Sequence, residues 1–311
     1  MNVEVVSTET GEPDTSVGAQ YIVSLNEGIM SQFFLKSVPF GLLILIVLLS
    51  SPARAGNWEA LFTGNGDVMS YIYFHQDIFY FIDTDLSANL EAFRYKKFFF
   101  GVDLFEETNM GRKYHSNMVF DPNRGQWSFG ISGRIELEKY FFEAQFHHDC
   151  FHHIGRWKGD ILMPDEYSVY WNTPRIGFGS LGYLPKYKYH QPESNAAGIS
   201  WPKKLDYYVV AGFFAPRGAV WQKNHDYEFT MNINLNFVLA RYKQLGFTIE
   251  SNNLWVINTT HQLKRQHGLN FDFTIYGSHG TLMTYIGWWP YDNQSLRPRN
   301  GKTVFGMHIG F

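Results

Sequence analysis

The sequence predicts an all-β protein, a transmembrane antiparallel β-barrel of 12 to 14 strands. From residue 56 onward, apolar and polar residues alternate with a period of two, the pattern of a strand with one apolar face. Aromatic residues make up 18% of the 311 residues and charged residues only 18%, compared with about 25% charged residues in an average soluble protein. The mean hydropathy is nevertheless −0.25, which argues against transmembrane helices of about 20 apolar residues each. A barrel with an apolar outside and a polar inside accounts for all three observations.

The only strongly apolar run, FGLLILIVLLS, spans residues 40–50. It follows Lys36 and precedes an A-x-A cleavage pattern at 53–55. A positive flank, a short apolar stretch and small residues at the end form a secretory signal peptide. The run is too short for a membrane-spanning helix, which needs about 20 residues.

The residues in front of this signal divide the chain into three parts. Residues 1–29 contain five acidic and no basic residues, and Met30 begins a signal peptide of ordinary form. We therefore predict that 1–29 is a non-native upstream extension, that 30–55 is the signal peptide, and that 56–311 is the barrel. The barrel segment shows no repeat or linker, so it is expected to form one domain.

Charge and cysteine content exclude several functions. Residues 1–55 hold five of the 29 acidic and two of the 26 basic residues, so the predicted mature chain has 24 of each. A neutral chain offers no basic field for nucleic acid, and none is expected as a partner. A single cysteine excludes a disulfide framework and a multi-cysteine zinc site.

Strand positions follow from the alternation and from the turns that interrupt it. Short turns, such as 137–139 and 173–175, alternate with longer loops, such as 108–125 and 185–194, as in barrels with short periplasmic turns and long extracellular loops. The best strand count is fourteen, and twelve is the alternative because the first and eighth segments are weak. The predicted strands are 71–82, 85–94, 96–107, 126–136, 140–149, 165–173, 176–184, 195–201, 205–214, 226–240, 244–253, 266–276, 281–290 and 302–311.

The last strand carries a resemblance to a known class. It reads FGMHIGF, with Phe305, Met307, Ile309 and Phe311 on one face. Together with the signal peptide and the alternating chain, it resembles a Gram-negative outer-membrane β-barrel protein. The resemblance implies location in the cell outer membrane, recognition of these four residues by the barrel-assembly machinery, and contact with outer-membrane lipids and lipopolysaccharide. It leaves the oligomeric state open.

A histidine-rich segment, 147–153, lies where the fifth predicted strand ends. His148 and Cys150 share one face of this strand, so the imidazole can activate the thiol. The pair is similar to the H-x-S dyad of outer-membrane phospholipase A and lipid A deacylase, with cysteine in the serine position. The phospholipase also has an asparagine on the next strand, which orients the histidine. The predicted strand 165–173 places Asn172 among the inward-facing residues, so this partner is expected to be missing.

Two other interpretations of the segment stay open. His147, His152 and His153 are suitable ligands for Zn²⁺ or Cu²⁺, provided that the loop folds back, because adjacent histidines on a strand point apart. The segment is otherwise a polar strand end followed by a histidine-rich loop. No resident cofactor is expected.

The inward-facing positions define a predicted lumen in which acidic residues outnumber basic ones. An acidic open lumen would favour cations, whereas paired charges would block it. The main functional prediction is a non-enzymatic channel, an uptake barrel or a structural barrel. A lipid-acting hydrolase at the extracellular rim is the alternative. The predicted lumen residues are Glu91, Asp103, Arg134, Glu136, Glu143, Glu228, Asn232, Asn234, Glu250 and Asp272.

Overall fold

The computed structural model describes residues 58–77, 79–112, 120–153, 157–158, 161–162, 169–189, 198–201, 204–215, 227–294 and 298–311. The predicted extension and signal peptide lie outside these residues. No helix in the described part is long and apolar enough to cross a membrane.

Twelve antiparallel strands form a closed barrel, in which each strand pairs with its neighbours in sequence and the first pairs with the last. A two-stranded hairpin at 157–158 and 161–162 lies outside the ring. The strands are β1 Trp58–Tyr73, β2 Ile82–Tyr95, β3 Phe98–Arg112, β4 Phe120–Glu136, β5 Tyr140–His153, β6 Val169–Ser180, β7 Lys204–Phe213, β8 Tyr227–Tyr242, β9 Leu245–Asn258, β10 Leu263–Tyr276, β11 Thr281–Asp292 and β12 Thr303–Gly310.

The predicted alternation is confirmed, and it separates an apolar exterior from a polar interior. On β5, Phe142 is 49% exposed and Phe146 is 46% exposed, whereas Phe141 is 1% exposed and Glu143 is buried. The same alternation continues on β10, where exposed phenylalanines flank the buried Asp272. Water would not favour so large an exposed apolar surface, which instead suits a lipid environment.

The strand count is twelve, so the preferred count of fourteen was wrong and the alternative was right. Residues 169–173 of the predicted strand 165–173 and residues 176–180 of the predicted strand 176–184 belong to one strand, β6, which pairs with β5 without interruption from Val169 to Ser180. The weak segment 195–201 contributes only an isolated bridge between Ser200 and Arg241 in its described part. Residues 181–203 therefore join β6 to β7 at the short-turn end of the barrel.

The predicted turn at 173–175 was wrong, because β6 accommodates Pro174 within the strand. The carbonyl oxygen of Asn172 accepts a hydrogen bond from the Ala215 amide, 2.8 Å away, on the β7 side of the strand. Residues two apart direct their backbone groups to the same side, so the nitrogen of Pro174 also faces β7. The described β6–β7 ladder begins only at Arg175. The missing N–H of proline therefore leaves the ladder with β5 intact, in agreement with the positions that proline takes in strands.

The segment after β6 fills the interior at the short-turn end. It forms a 3₁₀ turn, Leu181–Tyr183, and one helical turn, α1 Pro185–Lys188. The hydroxyl of Tyr189 donates to Asp67 on β1 at 3.1 Å, and Thr281 on β11 donates to the Tyr189 carbonyl at 2.7 Å. The ammonium of Lys188 lies 2.7 Å from the Glu250 carboxylate on β9. We call residues 181–189 the interior plug.

Two aromatic clusters and one arginine fill the interior at the other end. Arg299, from the loop after β11, lies 2.5 Å from Glu107 and 3.7 Å from Asp83. Tyr227 joins one cluster although its alternation predicts an outward position, because the β8–β9 register shifts between Tyr227 and Phe229. The clusters consist of Phe151, Val169, Trp171, Tyr227 and Val256, and of Tyr71, Tyr73, Tyr285 and Val304.

We expect the interior plug to limit ion flow through the barrel. Tyr189 is only 4% exposed, and burial of its ring against Gly310 holds the segment on β12. A Tyr189→Ala, Lys188→Ala variant loses the anchors on β1 and β9. Planar-bilayer recording should show frequent current openings for this variant and few for the unchanged protein. Equal currents from the two proteins would contradict a blocking role.

Candidate functional site

The exterior face of β5 brings the predicted dyad together. His148 and Cys150 are two residues apart on one strand, so both side chains point outward. The Cys150 sulfur lies 3.2 Å from Nε2 of His148. This distance allows the imidazole to take the thiol proton.

Asn172 completes a triad, because β6 sets it directly opposite His148. Its Oδ1 lies 2.8 Å from Nδ1 of His148. With Nδ1–H donated to this oxygen, Nε2 is left as the acceptor that faces the sulfur. The roles correspond to those in a Cys-His-Asn arrangement, where the third residue fixes the tautomer and the ring orientation. We call Cys150, His148 and Asn172 the exterior triad.

The predicted inward position of Asn172 was therefore wrong. Reading 165–173 as a separate strand assigns Val169 and Trp171 to the exterior, but in the continuous strand β6 both are buried in the interior. The strand register with β5, which local alternation does not reveal, places Asn172 on the exterior. If 140–153 and 169–180 are paired as one hairpin, Asn172 lies opposite His148. This pairing is the sequence signal that could have found Asn172.

The surroundings of the exterior triad are apolar and aromatic. Across from β5, Trp127 pairs with Cys150 and Phe129 pairs with His148 on β4. Phe129 is 52% exposed. The ring of Tyr170, opposite Cys150 on β6, lies nearly parallel to the imidazole of His148, with 6.1 Å between centroids.

Trp127 leans away from the sulfur. Its six-membered ring covers the backbone of Gly125, where any Cβ would collide with it. It also makes an edge contact with His152, with 5.2 Å between centroids. Both contacts place the ring of Trp127 on the loop side of its own backbone, away from Phe129.

The structure does not bring together His147 and His152, two of the three predicted metal ligands. His147 points into the interior, where its Nδ1 lies 3.1 Å from Ser128 Oγ, whereas His152 points outward beside Trp127. The side chain of His153 lies outside the described residues. Among the side chains that the structure does describe, no group of three histidine, cysteine or acidic residues could hold a metal ion. His147 and His152 point in opposite directions from the same strand, so they cannot bind one ion together.

Arg134 is the centre of the predicted lumen. Its guanidinium contacts the carboxylates of Glu91, Glu136 at 2.9 Å and Glu143 at 3.8 Å. Lys186 of the interior plug adds a second positive charge, 2.7 Å from Glu136. All four strand residues are buried, so this part of the lumen is a paired charge cluster.

The remaining predicted lumen residues lie on the interior face, with one exception. Asp103 accepts a hydrogen bond from Asn89, Glu250 pairs with Lys188, and Asn234 and Asp272 are buried. Asn232 is half-buried and has a buried Oδ1. Glu228 differs because the register shift at the start of β8 leaves it exposed, with His261 Nδ1 at 3.4 Å.

The C-terminal residues close the barrel. Phe305, Met307 and Ile309 are exposed on the exterior of β12, as predicted, and so is Phe311. The amide of Phe311 donates to the Gly66 carbonyl at 2.9 Å, and the Gly66 amide donates back at 2.8 Å. The terminal residue thus pairs with β1 at the seam.

Comparison with known proteins finds similar architectures among solved structures. No family model matches the chain, and no curated protein matches it. Among solved structures, the translocator domain of autotransporter NalP from Neisseria meningitidis is similar over 91% of this chain and 94% of that chain, with a TM-score of 0.36 and 8% sequence identity.

Proposed function

We propose that this protein is an outer-membrane barrel enzyme that cleaves acyl esters of membrane lipids at the exterior triad. The observation that carries the proposal is the hydrogen-bonded series Cys150–His148–Asn172 on the apolar exterior, with separations of 3.2 and 2.8 Å. Cysteine needs only a nearby base to become a strong nucleophile. The proposal rests on this geometry and not on any relative.

The exterior surface supports a membrane location. Exposed apolar residues on strand after strand match the lipid-facing band of a transmembrane barrel. Export by the signal peptide, insertion through the barrel-assembly machinery and contact with lipopolysaccharide are parts of the same proposal. In the proposed orientation the long loops face the cell exterior, and the exterior triad therefore lies toward the outer leaflet.

The position of Cys150 suits an ester at the membrane interface. Phe146 lies four residues closer to the middle of the barrel wall and is 46% exposed, so acyl chains can lie along this part of the wall. His152 lies two residues nearer the loops, where head groups would be. A lipid whose chains contact Phe146 therefore presents its ester bond at about the level of Cys150.

The proposed reaction is acyl transfer through a thioester. His148 Nε2 takes the thiol proton, and the thiolate attacks the ester carbonyl to form a tetrahedral intermediate. As the carbon–oxygen bond breaks, the imidazolium returns its proton to the leaving alcohol, which releases the deacylated lipid. Water activated by His148 then cleaves the thioester to give a fatty acid and restores the thiol. Asn172 holds the ring in place through both steps, as the orienting residue does in related triads.

The interior makes an open channel the weaker proposal. The interior plug contacts strands on several sides of the ring, and Arg299 enters from the opposite end. An opening of about 530 Å³ remains near Glu91, Arg94 and Lys186 at the short-turn end. We therefore place the chemistry on the outside of the barrel.

The test is deacylation of lipid in vesicles. Purified barrel in phosphatidylcholine vesicles, with or without added lipopolysaccharide, should release fatty acid that mass spectrometry detects. A His279→Ala variant, altered at an exposed turn, serves as the matched histidine control and should keep full activity. Absence of fatty acid from both lipid classes with a well-folded barrel would overturn the proposal.

Asn172 is expected to act as a positioning residue. Asn172→Ala removes the acceptor of the Nδ1–H bond, so the imidazole can turn or take the wrong tautomer. We expect kcat to fall about 10- to 100-fold with little change in KM, because the lost interaction matters mainly in the transition state. Asn172→Gln should recover part of the rate if it restores the hydrogen bond. A shift of the pH–rate profile in Asn172→Ala would separate this role from loss of folding, which would leave the profile of the remaining active protein unchanged.

A further inference from the structure

We infer that the acyl group on Cys150 passes to a primary amine of a second membrane lipid, so that the site acts as an acyltransferase toward aminolipids. The inference rests on the proposed function, because it concerns the fate of the same thioester. Two observations carry it: the nucleophile is a sulfur, and the described side chains that face it from β4 and β6 are aromatic and uncharged.

The surroundings of Cys150 favour an acceptor that shares the membrane. The described side chains around it on the exterior include Trp127, Phe129 and Tyr170, and none of the exterior neighbours that the structure describes is lysine, arginine, aspartate or glutamate. Water is scarce at an apolar wall in contact with lipid. A lipid head group confined to the same interface, in contrast, meets the thioester at a high effective concentration.

The open side of the triad has room for this acceptor. Trp127 leans over Gly125 toward the loops, so the ring of Trp127 does not cover the surface between Trp127 and Phe129. The acyl chain of the thioester can lie along Phe146, while a head group enters between the two aromatic rings. Donor and acceptor therefore approach the sulfur from different directions.

The choice of sulfur makes an amine a suitable acceptor. A neutral primary amine adds to the thioester carbonyl, and His148 accepts its proton. The intermediate then breaks the carbon–sulfur bond, because a thiolate, with an ordinary pKa of about 8.5, leaves far more readily than an alkoxide. The imidazolium returns the proton to the thiolate. The products are an N-acylated lipid and free Cys150, with no oxidant or further reactant.

The experiment compares vesicles that lack a lipid with a primary amine and vesicles that contain one. Barrel is placed in vesicles of phosphatidylcholine alone, or of phosphatidylcholine with phosphatidylethanolamine, each containing an isotope-labelled ester donor. We expect labelled N-acylphosphatidylethanolamine to exceed labelled fatty acid in the mixed vesicles, and only slow release of fatty acid in phosphatidylcholine alone. Labelled fatty acid at the same rate in both, without an N-acyl product, would overturn the inference and leave the proposed hydrolysis intact.

A variant tests the role of sulfur directly. Cys150→Ser replaces the thioester by an oxygen ester, so the ratio of N-acyl product to fatty acid should fall about tenfold or more even if total turnover is low. An unchanged ratio would contradict the inference. Absence of both products with the unchanged protein would instead overturn the proposed function itself, so the two failures are distinguishable.

Discussion

Replacing Cys150 with alanine is expected to lower lipid deacylation by about 10³-fold or more, because the variant has no atom that can form the acyl intermediate. Replacing His148 with alanine should cost a similar factor, since residues that act as one unit give losses that do not add. The double variant should therefore be little worse than either single one. Fatty-acid release from vesicles, followed by mass spectrometry, measures all three proteins.

The control for these variants is a test that the barrel still folds. Both side chains lie on the exterior, so their removal should leave the circular-dichroism spectrum and the unfolding midpoint nearly unchanged. Full activity in Cys150→Ala would exclude the exterior triad as the catalytic site. Strictly additive losses in the double variant would argue that His148 and Cys150 act independently.

Replacing Arg134 with methionine is expected to destabilise the barrel by about 3–5 kcal/mol, as is typical when one partner of a buried ion pair is removed. Arg134 is 5% exposed and faces Glu91, Glu136 and Glu143. Without it, Lys186 of the interior plug still pairs with Glu91 and Glu136, but Glu143 loses the positive charge that it faces. Denaturant unfolding in detergent, followed by tryptophan fluorescence, gives the free energy of unfolding.

A second arginine provides the matched control. Arg94 pairs with Glu59 at 3.8 Å, and both side chains are about half exposed or more. Arg94→Met should therefore change the free energy of unfolding by about 1 kcal/mol or less. Adding Glu91→Gln to Arg134→Met should recover part of the lost stability, because it removes one of the unpaired charges. Equal effects of Arg134→Met and Arg94→Met would contradict the interpretation of the lumen as a paired charge cluster.

The sequence predicts the class of fold and the two faces of most strands, because each strand must alternate to separate lipid from the interior. It does not predict the path of the chain where local signals conflict with pairing. Pro174 indicates a turn, yet it lies within β6, since its nitrogen faces β7 and leaves the ladder with β5 intact. One misplaced turn created an extra strand and reversed the predicted direction of Asn172.

The candidate site shows the same limit. His148 and Cys150 can be paired from sequence because they share a strand and a face. Asn172 is 24 residues from His148, and only the register between β5 and β6 brings the two together. The interior plug was also unpredictable, since residues 181–189 contain no signal that distinguishes a surface loop from a segment anchored on Asp67 and Glu250.

The most direct test of the exterior triad is the mass of Cys150 during turnover. The barrel is incubated in vesicles with a labelled ester lipid, quenched in acid and digested, and the peptide that contains Cys150 is examined by mass spectrometry. We expect a hydroxylamine-sensitive acyl adduct on Cys150 that accumulates in the unchanged protein and is lost when His148 is replaced by alanine. Fatty acid released at a steady rate while Cys150 stays unmodified, or while Cys150→Ala keeps that rate, would contradict it.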